Sequence, residues 1–304
     1  MTERRFEGRV AVITGAGRGL GQAYAELLAS KGAKVVVNDN GSGLAGDGSD
    51  ASVAQLAVNA IMAAGGEAVA CTESVATPEG GKAIIEAALD SWGRIDILIH
   101  NAGNTRFDAF AEITYEEFRS VVDVHLLGAF NVTRPAFPLM RDGGYGRVVL
   151  TGSIGGIYSM PHVIAYAVSK SGMIGLNNII AIEGAEHGIK SNMILPGALT
   201  RMAEGIDTSQ FPEMGPELVA PVVGYLAHES CAVSAEIFAA IAGRVARIYV
   251  SETRGVYRPD WTIDDVATNL EAIRDPSDGW TLHPAKGAFF EHMNRSFEMA
   301  RAGA

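Results

Sequence analysis

The sequence predicts an α/β fold in which a doubly wound parallel sheet carries helices on both faces. Short apolar segments rich in β-branched residues alternate with longer helical segments, as in sheets whose parallel strands are joined by helices. The first apolar segment runs directly into the glycine cluster "TGAGRGLG", residues 14–21. No internal repeat or low-complexity tract interrupts the alternation, so we expect one continuous sheet.

The individual elements are predicted from hydrophobic pattern and from turn residues. Residues 10–13 have the β-branched bias of a buried strand, and Gly32 ends the helix that the glycine cluster opens. The predicted strands span residues 10–13, 34–38, 67–71, 95–99, 146–151 and 189–195. The predicted helices span residues 22–30, 51–64, 79–91, 114–140 and 162–186. Residues 40–50 are rich in Gly, Ser and Asp, and we predict a surface loop there because the alternation continues beyond them.

The alternation weakens after about residue 255. Proline breaks, two tryptophans and short amphipathic segments follow one another up to the last residue given. This segment is too short for a comfortable independent domain. We therefore predict a single α/β domain at residues 1–254 and an extension, residues 255–304, that packs on the same domain.

Composition excludes several functional classes. The 304 residues include 24 Lys and Arg against 35 Asp and Glu, a formal net charge of −11, which disfavours nucleic-acid binding. Two cysteines, Cys71 and Cys231, rule out a disulfide framework and suit a reducing compartment. The segment "HESC", residues 228–231, lacks a fourth metal ligand at suitable spacing. Without a signal region or a membrane-length apolar run, the sequence predicts a soluble cytoplasmic protein with no metal and no membrane partner.

The glycine cluster predicts a nucleotide site. Glycines between a strand and a helix let the backbone approach a pyrophosphate at the positive end of the helix. Asp39 ends the second predicted strand, where a carboxylate can accept hydrogen bonds from the adenosine ribose and repel a 2′-phosphate. This position favours NAD over NADP. The alternative for Asp39 is a loop aspartate that caps a turn, and Arg18 could contact a phosphate.

A tyrosine and a lysine form the second candidate site. Tyr166 and Lys170 stand four residues apart in "AYAVSKSGMIG", so they share one helix face. Ser153 follows the strand at residues 146–151, at the edge where open α/β sheets bind ligands. A free phenol has a pKa of about 10, too high for a general base, and an adjacent ammonium is expected to lower it. The alternative is that the pair forms an ordinary solvated helix surface.

Taken in order, these motifs resemble the short-chain dehydrogenase/reductase family. They are "TGAGRGLG", "NAG" at residues 101–103, Ser153, Tyr166 with Lys170, and "PG" at residues 196–197. The resemblance implies a Rossmann fold of about seven parallel strands, NAD as cofactor and a homodimer or homotetramer. It implies that Tyr166 exchanges the substrate proton, Ser153 binds the substrate oxygen and Lys170 also holds the nicotinamide ribose. The cofactor-binding residues it implies are Gly15, Arg18, Gly19, Leu20, Gly21, Asp39, Ser74, Val75, Asn101, Ala102, Gly103, Tyr166, Lys170, Pro196, Gly197 and Leu199.

Three positions depart from the pattern of the family. His125 stands where many members have an Asn that supports a water chain to the active lysine. Since a neutral imidazole can donate and accept, His125 is a candidate catalytic residue; the alternative is a buried histidine at a subunit contact. Ser74 replaces an Asp that often contacts the adenine amine, so Val75 is expected to matter more, through packing on the adenine. His100, directly before "NAG", is interpreted as a strand-end residue.

A narrower resemblance covers nearly the whole chain. Segments such as "VVVNDNG", "DVHLLGAFNVTRPAF" and "WTIDDVATNLEAIRD" resemble the (R)-3-hydroxyacyl-CoA dehydrogenase domain of peroxisomal multifunctional β-oxidation enzymes of type two. This implies NAD-dependent oxidation of a 3-hydroxyacyl-CoA. In those enzymes the dehydrogenase is fused to a hydratase, and because the sequence given ends at residue 304 we expect a free-standing dehydrogenase here. The alternatives are a dehydrogenase of hydroxysteroids or other secondary alcohols, and an NAD(H)-binding regulator without turnover.

Residues 200–216 are the candidate substrate lid. They mix Met202, Ile206, Phe211 and Met214 with glycines and prolines, which suits a movable apolar cover over a large substrate. Arg201 could meet a phosphate of CoA. The alternative is a surface loop whose apolar residues pack on a neighbouring subunit.

Overall fold

The computed structural model describes residues 4–200, 207 and 209–303. The chain divides into two compact units, of which the first ends at Arg247 and the second begins at Ile248. The sheet belongs to the first unit, apart from the last residue of its edge strand.

Eight strands form a single sheet. They are β1 Val10–Thr14, β2 Lys34–Asn38, β3 Glu67–Cys71, β4 Ile97–His100, β5 Gly146–Thr151, β6 Ile189–Gly197, β7 Glu236–Ile241 and β8 Arg244–Ile248. Their order is β3-β2-β1-β4-β5-β6-β7-β8, and all pairings from β3 to β7 are parallel. The direction of strand succession reverses between β1 and β4, which opens a crevice at their carboxyl ends.

Seven α-helices flank the sheet in the described part of the first unit. They are α1 Gly19–Ser30, α2 Ser52–Ala63, α3 Pro78–Trp92, α4 Tyr115–Val122, α5 Gly128–Asp142, α6 Ile164–Gly184 and α7 Ala220–Ala227. At the start of α3, Thr77 accepts a hydrogen bond from the Gly80 N–H and Pro78 takes the first helical position. Gly93 ends α3 with φ 71°, a conformation that suits glycine.

The centre of the sheet is fully buried, as expected for parallel strands covered by helices. Every residue of β1 and β4 is buried. Ile13 lies opposite Ile99 across the β1–β4 pairing, and Tyr24 and Leu28 of α1 pack into the same core cluster. Close packing of this kind leaves little freedom, so the carboxyl edges of β1 and β4 are a rigid base for a site.

The predicted fold class is confirmed, and so are the seven parallel strands. The bounds of β2, β3 and β5 are those predicted. β7 and β8 were not predicted. A two-residue turn joins them, and Ala242 and Gly243 both have positive φ, 48° and 78°, as in a tight β-hairpin. Alanine is a rare choice at such a position, so the sequence carries a weak turn signal there.

The helix predicted at residues 114–140 is interrupted. α4 ends at Val122, a π-helical segment spans Asp123–Leu127, and α5 then continues through Pro135 and Pro138. Apolar periodicity cannot reveal one extra residue within a turn. π segments inside helices are frequent at functional sites, and this one carries His125.

The second unit consists of short helices and loops. Its α-helices are α8 Ile263–Thr268, α9 Leu270–Arg274 and α10 Ala288–Ala302. Thr262 starts α8 through a capping box with Asp265. Within residues 248–303, all of which the structure describes, no residue is buried. The predicted packing of this extension on the first unit stays a prediction.

The described residues contain neither a membrane-spanning helix nor a metal cluster. No helix among them is long and apolar enough to cross a membrane. In the segment "HESC", His228 contacts the Ser230 hydroxyl at 2.8 Å through Nδ1 and the Arg5 carbonyl at 3.1 Å through Nε2. No group of three or more His, Cys, Asp or Glu in the described part of the chain is placed to hold a metal.

Candidate active site

The glycine turn between β1 and α1 brings backbone together without side chains. A Cβ on Gly15 would lie 2.7 Å from the Ala102 Cα, and one on Gly21 would lie 2.1 Å from the Gly15 carbonyl oxygen. A Cβ on Gly17 would approach the Asp39 Oδ2 at 2.9 Å. Arg18, at the N-cap of α1, makes no side-chain capping bond, so the first N–H groups of the helix face the turn. This cradle fits a dinucleotide pyrophosphate.

Asp39 ties the glycine turn to the loop at residues 40–50. Its Oδ2 accepts a hydrogen bond from the Gly17 N–H at 3.0 Å, and its Oδ1 accepts one from the Gly41 N–H at 2.8 Å. Asp39 therefore caps the turn, as the alternative interpretation expects, and its role in cofactor binding stays a prediction. Arg18 donates to the carbonyls of Gly41 and Ser42 at 3.3 and 3.4 Å, so its guanidinium is engaged by the loop.

The segment "NAG" lies against the same turn. Asn101 donates from Nδ2 to the Gly15 carbonyl at 3.1 Å. The backbone N–H groups of Asn101 and Ala102 both donate to the Thr14 hydroxyl at 3.1 Å. A Cβ on Gly103 would lie 2.4 Å from the His125 Cε1, so only glycine allows that ring to approach. The strands β1 and β4 thus present one continuous surface at their carboxyl ends.

The remaining cofactor candidates lie after the end of β3, at and after the end of β6, and at the start of α1. Val75 is buried, and the Ser74 hydroxyl accepts from the Ala76 N–H at 3.2 Å. Pro196 and Gly197 end β6. A Cβ on Gly19 would reach the Thr200 Cγ2 at 3.4 Å, which brings the chain after β6 to the glycine turn that also contains Leu20. Leu199 donates its N–H to the Met214 carbonyl at 2.7 Å.

The structure brings Ser153, Tyr166 and Lys170 together. Ser153 lies two residues beyond the end of β5, and its side chain is near enough to the Tyr166 phenol to lower the phenol pKa. Lys170, one turn further along α6, places Nζ 5.5 Å from the Tyr166 ring centroid. The Lys170 ammonium donates to the Thr151 carbonyl at 2.5 Å, and Lys170 is buried. The pair is therefore not a solvated helix surface.

The electrostatics of the pair differ from the sequence-based expectation. Burial raises the pKa of Tyr166 above its usual value, and the hydrogen bond from Ser153 offsets part of this rise. Burial also lowers the pKa of Lys170 to about 7. The net shift for the protein alone is upward, and the predicted lowering of the phenol pKa by Lys170 together with the oxidised nicotinamide stays a prediction. The ammonium is turned to the Thr151 carbonyl and is partly neutral near pH 7.

His125 lies against the catalytic tyrosine. Its ring meets the Tyr166 ring edge-on, with centroids 5.3 Å apart and planes at 82°. His125 Nε2 lies 2.7 Å from the Asn104 carbonyl oxygen and 3.1 Å from the Asn104 N. The shorter contact assigns Nε2 as the donor, because a carbonyl only accepts. Nδ1 is buried and has no partner among the described residues, which differs from the satisfied histidine of the alternative interpretation.

Sequence reasoning missed two residues that hold this arrangement. Thr14, the last residue of β1, binds the "NAG" backbone, and Asn104, buried directly after it, binds the His125 ring. Position next to a recognised motif was the only available signal. Of the lid candidates, Arg201, Met202 and Ile206 lie outside the described residues, whereas Phe211 is half-exposed.

Comparison with known proteins agrees with this geometry. The sequence model of the short chain dehydrogenase family matches residues 9–210. The chain is 44% identical over 273 residues to the peroxisomal multifunctional enzyme type 2 of Drosophila melanogaster, covering 89% of this chain and 45% of the relative. The full-length structure of that enzyme superposes with a TM-score of 0.82 at 36% identity, over 98% of this chain and 50% of the other. The chain thus spans about half the length of this relative.

Two further matches span nearly all of the matching protein. A short-chain type dehydrogenase/reductase of Mycobacterium tuberculosis is 40% identical over 271 residues, 88% of this chain and 95% of the relative. The structure of a 7α-hydroxysteroid dehydrogenase, complexed with NADH and 7-oxo glycochenodeoxycholic acid, has a TM-score of 0.72 at 28% identity, over 79% of this chain and 95% of the other. The chain belongs to the short-chain dehydrogenase family, whose members are oxidoreductases that act on CH–OH donors.

Proposed function

We propose that this protein is an NAD-dependent dehydrogenase that reversibly oxidises (R)-3-hydroxyacyl-CoA to 3-oxoacyl-CoA. The observation that carries the chemistry is the cluster of Ser153, Tyr166 and buried Lys170 at the carboxyl end of β5. The substrate class is supported by the 44% identity with the multifunctional enzyme of Drosophila melanogaster, together with the narrower resemblance found in the sequence.

The residues present fit a nicotinamide dinucleotide. The glycine turn offers its backbone to a pyrophosphate, and Asp39 offers a carboxylate to the adenosine ribose. That carboxylate disfavours a 2′-phosphate, so we propose NAD rather than NADP. The structural neighbour solved with NADH supports the same class of cofactor. When bound, the oxidised cofactor accepts a hydride, and its positive charge favours the phenolate form of a neighbouring tyrosine.

The side chains of the site divide the remaining work. Ser153 donates a hydrogen bond to the substrate oxygen and orients it. Tyr166, as phenolate, takes the proton of the substrate hydroxyl. A hydride leaves the carbon that bears this hydroxyl, so a C=O bond forms. In reduction the phenol returns that proton. Lys170 would hold the nicotinamide ribose, because its ammonium has N–H donors beyond the one given to the Thr151 carbonyl.

We also propose that His125 serves as a proton-relay residue in place of the usual asparagine. Its ring stands edge-on against Tyr166, and its buried Nδ1 is an acceptor without a partner in the described part of the chain. Burial and the Lys170 charge lower the pKa of His125 well below its usual value. The ring is therefore neutral at physiological pH, which is the form that can accept a proton.

A second candidate is the oxidation of a hydroxysteroid. One observation favours it: the structural neighbour at TM-score 0.72 is a 7α-hydroxysteroid dehydrogenase complexed with an oxidised bile acid. The same catalytic trio serves many secondary alcohols. A regulator that binds NAD(H) without turnover is disfavoured, because Ser153, Tyr166 and Lys170 lie side by side as a catalytic site requires.

A competition assay tests the proposal. Medium-chain (R)-3-hydroxyacyl-CoA, its S isomer, a 7α-hydroxysteroid and a small secondary alcohol are each supplied with NAD and with NADP, and the reduced cofactor is followed by absorbance. We expect the highest kcat/KM for the R isomer with NAD. Preference for the steroid would promote the second candidate, and preference for the S isomer or the small alcohol would contradict the assignment.

The cofactor proposal has its own control in Asp39→Ser. Removing the carboxylate should lower the ratio of kcat/KM with NAD to kcat/KM with NADP. It also removes the acceptor of the Gly17 and Gly41 N–H groups, so thermal stability is measured in parallel. Equal kcat/KM with both cofactors in the unaltered protein would contradict the role of Asp39.

We propose that the protein assembles as a homodimer or homotetramer and acts in a reducing compartment. Several apolar side chains on α5 and α6 are half-exposed in the single chain, as expected of surfaces that meet another copy; they are Phe130, Val168, Ile179 and Ile182. The two cysteines are free. We propose a cytoplasmic location, whereas the name of the relative from Drosophila melanogaster gives a peroxisomal one. Cell fractionation distinguishes the two locations.

A further inference from the structure

A buried hydrogen-bond chain links β1, β4 and the π-helical segment. It runs from the Asn101 and Ala102 N–H groups to the Thr14 hydroxyl, and from there to His100 Nδ1 at 3.0 Å. On the other side of the ring, His100 Nε2 lies 3.0 Å from the His125 carbonyl oxygen. Thr14 and His100 are both fully buried, so the chain is closed to solvent.

Both ends of this chain fix the same tautomer of His100. A hydroxyl has one hydrogen and two lone pairs, and the Thr14 lone pairs are taken by two backbone N–H groups. Its hydrogen must therefore go to His100 Nδ1. At the far end a carbonyl can only accept, so His100 Nε2 must carry the proton and donate to His125. The ring is neutral, with Nδ1 bare and Nε2 protonated.

The environment keeps the ring in that state. Burial, followed by the nearby Lys170 charge, lowers the pKa of His100 to about 3. A charged ring would put a second proton on Nδ1, opposite a Thr14 hydroxyl whose lone pairs are already used. His100 therefore works as a fixed donor near neutral pH, unlike a histidine that switches.

The far end of the chain lies on the residue that faces Tyr166. The π-helical segment Asp123–Leu127 leaves the regular helical bonding pattern, and its His125 carbonyl accepts from His100. The His125 ring is held by Asn104 and lies close against Gly103. Residues 100–104 thus hold His125 at two points, at its backbone through His100 and at its ring through Asn104.

We propose that His100 is a positioning residue for catalysis: its Nε2–H holds the His125 carbonyl and so sets where the His125 ring stands against Tyr166. This inference rests on the proposed role of His125. It assigns a function to a residue that the sequence presents as the end of a strand. A ring displaced by about 1 Å can cost on the order of 10²-fold in rate.

A double-mutant cycle tests the proposal. The kcat for oxidation of the alcohol substrate is measured for the wild type, His100→Leu, His125→Ala and the double variant. Because His100 acts through His125, we expect each single change to lower kcat by about tenfold or more, and the double variant to be no slower than the slower single variant. KM for NAD should stay unchanged. Independent, multiplicative losses would overturn the proposal.

Two matched variants separate positioning from loss of stability. His100→Gln keeps an N–H donor that can reach the His125 carbonyl, and should recover most of the kcat lost in His100→Leu. Ser191→Ala removes a comparable buried hydrogen bond, to Asn177 at 2.8 Å, and should lower thermal stability with kcat intact. Equal kcat in the Gln and Leu variants would contradict the proposal.

A measurement without substrate separates this inference from the proposed function. The ¹⁵N shifts of the imidazole nitrogens report which nitrogen carries the proton, and His100→Gln assigns the His100 signals. We expect a neutral His100 protonated at Nε2, and altered His125 signals in His100→Leu. A ring protonated at Nδ1 or at both nitrogens would overturn the inference. Wild-type activity on an alcohol other than a hydroxyacyl-CoA would overturn only the proposed substrate.

Discussion

Lys170 illustrates, at the scale of one residue, how a site works against stability. Its ammonium is buried and has one hydrogen-bond partner among the described residues, the Thr151 carbonyl. Burial lowers the pKa of Lys170 from 10.5 to about 7. Between these two values the unfolded chain binds a proton that the folded chain does not. The free energy of unfolding therefore rises with pH from about 7 to about 10.5, and the full penalty is present below about pH 7.

The first prediction is that Lys170→Met abolishes turnover and stabilises the protein. Methionine fills similar space without a buried charge, and we expect the free energy of unfolding at pH 7 to rise by about 1–3 kcal/mol. The difference from the wild type should shrink as pH increases towards 10. Urea unfolding at several pH values measures it. A variant that is less stable than the wild type at pH 6 would contradict the assigned cost.

The second prediction concerns Tyr166→Phe. The ring still packs on His125, but the proton acceptor is lost, so kcat should fall by about 10²–10⁴-fold while NADH affinity stays within about twofold. Tyr158→Phe is the matched control, because Tyr158 lies on the same β5–α6 connection and is 74% exposed. If Tyr166→Phe retains kcat within about threefold of the wild type, Tyr166 is not the base.

The sequence could identify the catalytic residues but not their electrostatic environment. Ser153, Tyr166 and Lys170 could be named because their spacing and order are specific to the family. The raised pKa of Tyr166 could not be predicted, since it depends on burial that no short motif encodes. The same holds for the pairing of His100 with His125: the two residues lie 25 positions apart, and only the folded sheet brings a strand end to a π-helical turn.

At the scale of elements, the glycine turn shows why particular glycines are required. Gly21 lies in the first turn of α1, where a Cβ would come within 2.1 Å of the Gly15 carbonyl oxygen. That neighbour is backbone and cannot move aside as a side-chain tip can. Gly175 is also helical, but a Cβ there would meet nothing within 4 Å. The two positions therefore form a matched pair.

The third prediction compares Gly21→Ala with Gly175→Ala. Alanine at position 175 should stabilise the protein by up to about 1 kcal/mol through helix propensity, provided that the oligomeric state is unchanged, because this face of α6 is one that we propose meets another copy. Alanine at position 21 should destabilise it by about 1–3 kcal/mol through overpacking and weaken NADH binding, because the turn must open. Thermal unfolding and fluorescence titration with NADH measure both effects. Unchanged NADH affinity in Gly21→Ala would contradict the pyrophosphate cradle.

Elements were predicted best where the hydrophobic pattern is continuous. The buried strands β2, β3 and β5 have the predicted bounds, because each is a short apolar run between turn signals. β8 is mostly exposed and follows a turn formed by an alanine with positive φ, so neither signal was present. The π-helical segment was missed for a different reason: it keeps the apolar face of its flanking helices and changes only the bonding.

At the scale of the whole molecule, the two units differ in how they bury side chains. All of the buried residues in the described part of the chain lie at or before Ala240. The second unit has one capping box and several aromatic residues, but its helices are short and it has no core of its own. Isolated helices of this length are marginal in water, and segments of this size rarely fold without a core.

The last prediction is therefore that a chain ending at Arg254, which retains all of β8, folds on its own. We expect one cooperative thermal transition, with a midpoint within a few degrees of that of the full chain, and retained NADH binding. A peptide of residues 255–304 should be largely unfolded by circular dichroism, because nothing in it buries apolar surface. Aggregation of the shortened chain, or loss of its cooperative transition, would show that the first unit needs the extension in order to fold. The full chain serves as the control, and Trp92, the tryptophan that remains in the shortened chain, reports its unfolding by fluorescence.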